Sequence, residues 1–188
     1  RCTFCNFYEG RRFRMRTLGQ YEKHIQAVKN FFGAGIRMRH GIFLGDGNAL
    51  ALGVDRLAEY MTMTHKFFPD QPLFGFVDVY SGERHTVEEW RTLRDLGLRR
   101  VYIGMESGCD SLLEFLNKPN TAEDTIALVR DMKEAGLAVS PIVMVGIGGH
   151  KYSKMHEQET LRVLEQMPLG DGDILYLSPF VEHPDSQY

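Results

Sequence analysis

Little cysteine, no long apolar run and no excess of charge of one sign characterise this chain, and each shortage closes off a class of function. Three cysteines in 188 residues are an odd count, and Cys2 and Cys5 lie too close for an ordinary structural bridge. A disulfide framework is therefore not expected, and reduced thiols are. No apolar stretch approaches the roughly 20 residues that a membrane helix needs, and no secretory leader precedes the first strand. The chain reads as cytoplasmic, without a membrane partner. A net charge of -3 and a pI near 6.2 withhold polyelectrolyte character, so nucleic acid is not indicated and any anionic partner has to be met locally. A Gly-x-Gly-x-x-Gly after the first strand is also missing, which counts against a dinucleotide-binding fold.

What is present is a regular alternation. With 43% hydrophobic and 25% charged residues, the chain has the composition of one domain, spanning 1–188, that buries a continuous core. Tyr21, Ile25, Val28 and Phe32 recur at spacings of three and four and predict a helix, with Gly33 and Gly35 ending it. Strand, loop and helix then repeat: strand at 42–44, helix at 55–68, strand at 74–79, helix at 87–96, strand at 100–105, short helix at 110–116. Thr121 is placed to cap a helix that ends at Gly136. A strand at 139–145, a helix at 157–167 and a last strand at 173–177 complete the pattern. Strands alternating with helices imply a parallel sheet covered by helices. Polar and glycine-rich residues follow the carboxyl end of each strand, where barrels build their sites, so the expected architecture is an α/β fold, a partial (β/α) TIM-like barrel.

The chemistry starts at Cys2-Thr3-Phe4-Cys5. Two thiolates three positions apart reach one metal centre from a single loop, and soft iron accepts them. On the residues alone, three readings stand. A zinc site needs two further ligands, and no second Cys or His pair at similar spacing is visible. A redox-active dithiol should end a strand and open a helix. An iron–sulfur site needs more thiolates than two.

The order Cys-Thr-Phe-Cys resembles the last two cysteines of the Cys-x-x-x-Cys-x-aromatic-Cys motif of the radical S-adenosylmethionine (radical SAM) family, with Phe4 as the aromatic. The resemblance implies a first cysteine three positions before Arg1, so that 1–188 is a core domain truncated within its cluster motif. It implies a 4Fe-4S cluster, S-adenosyl-L-methionine (SAM), and an electron donor such as flavodoxin or ferredoxin. Gly45, Asp46 and Asn48 then occupy the place of the glycine-rich segment that contacts methionine; a polar turn is the other reading. Residues 101–108, Val-Tyr-Ile-Gly-Met-Glu-Ser-Gly, resemble a strand segment of the coproporphyrinogen dehydrogenase type, which puts Glu106 near the ribose and Ser107 beside it. Ser107 is equally suited to cap the next helix. Lys118 matches a cation set against the methionine carboxylate, or is simply a lysine at a helix C-terminus. Asp78 is the nearest carboxylate for the methionine amino group, and Gly146 belongs to a segment lining the adenine side. No general acid or base is named, because the initiating electron transfer requires none.

Other residues read more plainly. Cys109 is a small buried hydrophobe rather than a ligand. The run of four arginines at 11–16 suits either an anionic substrate or, more commonly, solvent. The seven histidines share no ligand spacing, and Trp90 is a packing residue. The expected function is radical SAM catalysis, the alternative a structural metal or redox module built on Cys2 and Cys5.

Overall fold

The computed structural model describes residues 2–5, 10, 14–45 and 47–182. Five strands, β1 (Ile42–Leu44), β2 (Leu73–Asp78), β3 (Leu98–Glu106), β4 (Ala138–Val145) and β5 (Tyr176–Pro179), lie in the order β1-β2-β3-β4-β5, and every neighbouring pair is parallel. Helices α1 (Leu18–Phe32), α2 (Val54–Phe67), α3 (Val79–Gly82), α4 (Val87–Asp95), α5 (Asp110–Phe115), α6 (Ala122–Glu134) and α7 (Gly149–Glu165) alternate with them. The sheet curls into the expected half-barrel.

Local chemistry starts three of the helices. Thr17, Thr86 and Thr121 each accept from the backbone three residues on, while Gln20, Glu89 and Asp124 reach back to the cap N–H. These are three capping boxes, each contributing about 1 kcal/mol. In β2 burial alternates: Leu73, Gly75 and Val77 face the helices while Phe74, Phe76 and Asp78 are half-buried on the other side. Gly75 is required, since a Cβ there would lie 2.9 Å from Leu50. Leu57, Met61, Trp90, Leu93, Val129 and Met132 bury one stripe of each helix against Val101, Ile103 and Val139 of the sheet. Each such side chain removed from water contributes about 1.5–3 kcal/mol.

Two elements differ from the sequence expectation. α7 begins at Gly149, eight residues before 157, because Gly148 at φ 86 turns the chain directly out of β4. β5 begins at Tyr176 rather than 173, because Asp173 serves as a clamp instead of a strand residue. Its carboxylate accepts from Val139 N (2.7 Å), Gly170 N (2.8 Å) and Lys133 Nζ (2.6 Å). Burial pushes the Asp173 carboxyl up, but these three donors more than offset it and hold it below its ordinary value. The clamp ties α6, the start of β4 and the loop before β5 at the amino end of the sheet.

Candidate functional site

At the opposite, carboxyl end of the strands the polar residues form two groups. The first joins β1 to β2. Asn48 donates to the Asp78 carboxylate and to Ser81 Oγ (3.0 Å), and its own carbonyl accepts from Asp78 N (3.3 Å). Asp78 also caps α3, accepting from Ser81 N at 2.9 Å and Ser81 Oγ at 3.0 Å. Both residues are thus already bonded within the protein. Gly45 follows β1 and is exposed; Asp46 lies outside the described residues.

The second group gathers around β3. Glu106 closes the strand with φ 64, and Ser107 N donates to Met105 O at 2.8 Å, a three-residue turn centred on Glu106. That backbone is rare for a residue with a Cβ and strained. The carboxylate is buried, with Oε1 at 3.6 Å from Lys118 Nζ and Oε2 without a hydrogen-bond partner among the described residues. Lys118 is buried too and donates to Gly104 O at 2.6 Å. Burial pushes the Glu106 carboxyl above its ordinary value, and Lys118 offsets this only in part. A buried, unpartnered carboxylate oxygen is expensive to keep unless a donor arrives from outside.

The cysteine turn docks beside this pair. Thr3 N donates to Leu116 O (3.1 Å), two residues before Lys118, and Cys5 N donates to Cys2 O (3.3 Å). Phe4 packs on a small apolar cluster of Cys109, Leu112, Leu116, Ile147 and Tyr152. The aromatic between the cysteines is therefore the wedge that seats the turn. Cys2 and Cys5 are half-buried and not joined in a disulfide. Burial raises the Cys2 thiol, Lys118 lowers it and Glu106 raises it. Among the described residues no group of three His, Cys, Asp or Glu side chains is placed to hold a metal ion.

The remaining expected residues are placed as follows. Ser107 is fully buried, with Oγ 2.8 Å from His156 Nδ1. Gly146, at φ 89, is exposed just beyond β4. Cys109 is buried in the apolar cluster, as expected of a small hydrophobe. Of the arginine run only Arg14 and Arg16 are described, and both are exposed. Sequence reasoning missed His156 and Thr160, whose spacing of four on one helix was the available signal.

Cysteine turn, buried carboxylate–lysine pair and glycine-rich loops at the carboxyl ends of a parallel half-barrel define a class of cofactor-dependent enzyme. The family model of the Radical SAM superfamily matches residues 1–162, and the chain belongs to that superfamily. It is 36% identical over 70 residues to the tRNA uridine(34) acetyltransferase of Methanocaldococcus jannaschii, a match covering 37% of this chain and 12% of that protein. Its fold resembles coproporphyrinogen III oxidase (HemN) from Escherichia coli, with a TM-score of 0.69 and 18% identity over 97% of this chain and 42% of that one. It also resembles the radical S-adenosylmethionine methyltransferase TsrM from Kitasatospora setae, whose structure holds cobalamin and a [4Fe-4S] cluster. That likeness has a TM-score of 0.60 and 18% identity, over 95% of this chain and 34% of that one. The chain thus spans less than half of these proteins' lengths.

Proposed function

We propose that residues 1–188 form the single core domain of a radical SAM enzyme, with Cys2 and Cys5 as two thiolate ligands of a 4Fe-4S cluster. The observation that carries this is the docking of the Cys2–Cys5 turn, through Thr3 and Phe4, beside a buried carboxylate whose second oxygen has no partner among the described residues. The residues fit the group: two thiols lie on one tight turn, desolvation makes a bare thiolate costly, and coordination to iron relieves that cost. When bound, the cluster supplies one electron to SAM, whose reductive cleavage yields a 5'-deoxyadenosyl radical for hydrogen abstraction from substrate.

The chain's own residues bind and exclude water. Glu106 Oε2 accepts from a ligand hydroxyl, in keeping with a ribose contact. Lys118 partly offsets the desolvation of Glu106 and offers its cation to the methionine carboxylate. Gly45 and Asn48 line the methionine side with Asp78, whose carboxylate is already anchored by Ser81 and Asn48. Ser107 acts from behind Glu106, and Gly146 leaves room beside the adenine. A flavodoxin or ferredoxin supplies electrons, and the reduced thiols suit the cytoplasm. Among the described residues, no helix is long and apolar enough to cross a membrane.

Anaerobic reconstitution of the full-length protein tests this. About four irons and four sulfides per chain are expected, and Cys5→Ala should abolish the cluster together with SAM cleavage. An intact cluster in Cys5→Ala, or zinc without sulfide in the wild type, would overturn it in favour of a structural metal module.

A further inference from the structure

The ends of β3 and β4 are joined through α7 by a histidine to which the cofactor reading gives no role. His156 is 9% exposed. Its ring donates to the Met144 carbonyl on one side, and Nδ1 lies 2.8 Å from Ser107 Oγ on the other. A carbonyl only accepts, so the ring proton sits on the nitrogen facing Met144, and Nδ1 is left to accept from the Ser107 hydroxyl at 2.8 Å, with the longer contact to Thr160 Oγ1 at 3.3 Å beside it. Ser107 Oγ in turn accepts from Cys109 N at 3.0 Å. One helical turn further on, Thr160 Oγ1 accepts from Gly108 N at 2.9 Å. Gly108 itself is pressed onto α7, where a Cβ would lie 2.7 Å from Thr160 Cα and 2.8 Å from Glu159 O. Residues 107–109 are therefore locked to α7 through both backbone and side chain.

The lock begins one residue after the strained turn. The β3–β4 register slips between Ile103 and Glu106, so a regular ladder does not dictate the direction of Glu106. Its φ of 64 has to be imposed from outside the sheet. We propose that His156 is a positioning residue for SAM: anchored on Met144 and accepting from Ser107, it holds the turn that aims the Glu106 carboxylate into the cofactor site. This rests on the reading of Glu106 as a SAM contact.

Two substitutions separate the two arms of the clamp. His156→Asn sets an amide oxygen near the position of Nδ1 and retains the acceptor for Ser107. His156→Gln reaches toward Met144 with a donor but leaves Ser107 without its acceptor. In the cluster-reconstituted full-length protein, anaerobic titration calorimetry with SAM should show about five- to tenfold weaker binding for His156→Gln and His156→Phe. His156→Asn should stay within about twofold of wild type by the same reasoning. Iron content should be unchanged in all three. In the cluster-free protein, amide hydrogen exchange at 107–109 should accelerate in the Gln and Phe variants and not in Asn. Ser107→Ala removes the same bond from its other end, so it should weaken SAM alike and add little when combined with His156→Phe; it also serves if His156→Phe fails to fold. Equal losses in Asn, Gln and Phe would show a merely structural histidine and overturn the inference. Unchanged SAM affinity in His156→Phe alongside a clear loss in Glu106→Gln would also overturn it, while leaving the Glu106 reading intact. Unchanged affinity in Glu106→Gln itself would remove that reading and the inference with it.

Discussion

Two carboxylate–lysine pairs sit at opposite ends of the same parallel sheet and solve opposite problems. At the amino end Asp173 receives three donors, Lys133 Nζ and two backbone N–H groups, and is held below its ordinary value. At the carboxyl end Glu106 stands 3.6 Å from Lys118, keeps one oxygen without a partner, and is pushed above its ordinary value. The first pair is complete within the protein; in the second, Glu106 Oε2 is left without a partner among the described residues. A satisfied buried charge belongs to the architecture, whereas an unsatisfied one marks the place where the fold gives up stability for a ligand.

Substitutions should widen that contrast. The largest effect on stability is expected from Asp173→Ala, which strands two backbone N–H groups and the Lys133 charge. It should cost about 3 kcal/mol in urea unfolding while leaving iron loading of the folded fraction unchanged. Glu106→Gln should cost less, about 1–2 kcal/mol, because it relieves the desolvated carboxylate while Lys118, left without its counter-charge, keeps its bond to Gly104 O. A large loss of stability in Glu106→Gln would erase the distinction between the two ends. Lys118→Ala should weaken SAM binding about tenfold by calorimetry with iron content unchanged, because it removes a cation and no iron ligand.

The smallest effect is the sign of the pH dependence. Asp173 has a lowered value in the folded state, so its contribution is present above the ordinary 3.8 and is lost as pH falls below it. Glu106 has a raised value, so its contribution is present below the ordinary 4.5 and is lost as pH rises through the folded value. Stability followed against pH should therefore fall less steeply in acid for Asp173→Asn, and less steeply on the rise from 4.5 for Glu106→Gln. The same change of slope in both variants would contradict the assigned directions.

The cysteine turn of the candidate site was legible because its geometry is local. Cys2, Phe4 and Cys5 act within one turn, and Phe4 wedges that turn in place. Asp78 and Asn48 were read as ligand contacts, and the structure shows each already bonded to the other and to Ser81. Those bonds cross about thirty positions of chain, from β1 to β2, and short-range spacing carries no record of them. Asp173 was misread as a strand residue for a related reason. Its polarity does not break a strand by itself; the three donors that converge on it come from α6, β4 and a loop.

By itself the sequence determined the alternation of strands and helices, the parallel half-barrel and the cysteine turn, because hydrophobic period, threonine caps and Cys-x-x-Cys spacing act within a few residues. Only the tertiary structure decided which charges are left incomplete. Burial of Glu106, its separation from Lys118 and the grip of His156 on Ser107 depend on β3, α5 and α7 meeting in space. Desolvation is a property of that meeting and not of any residue alone.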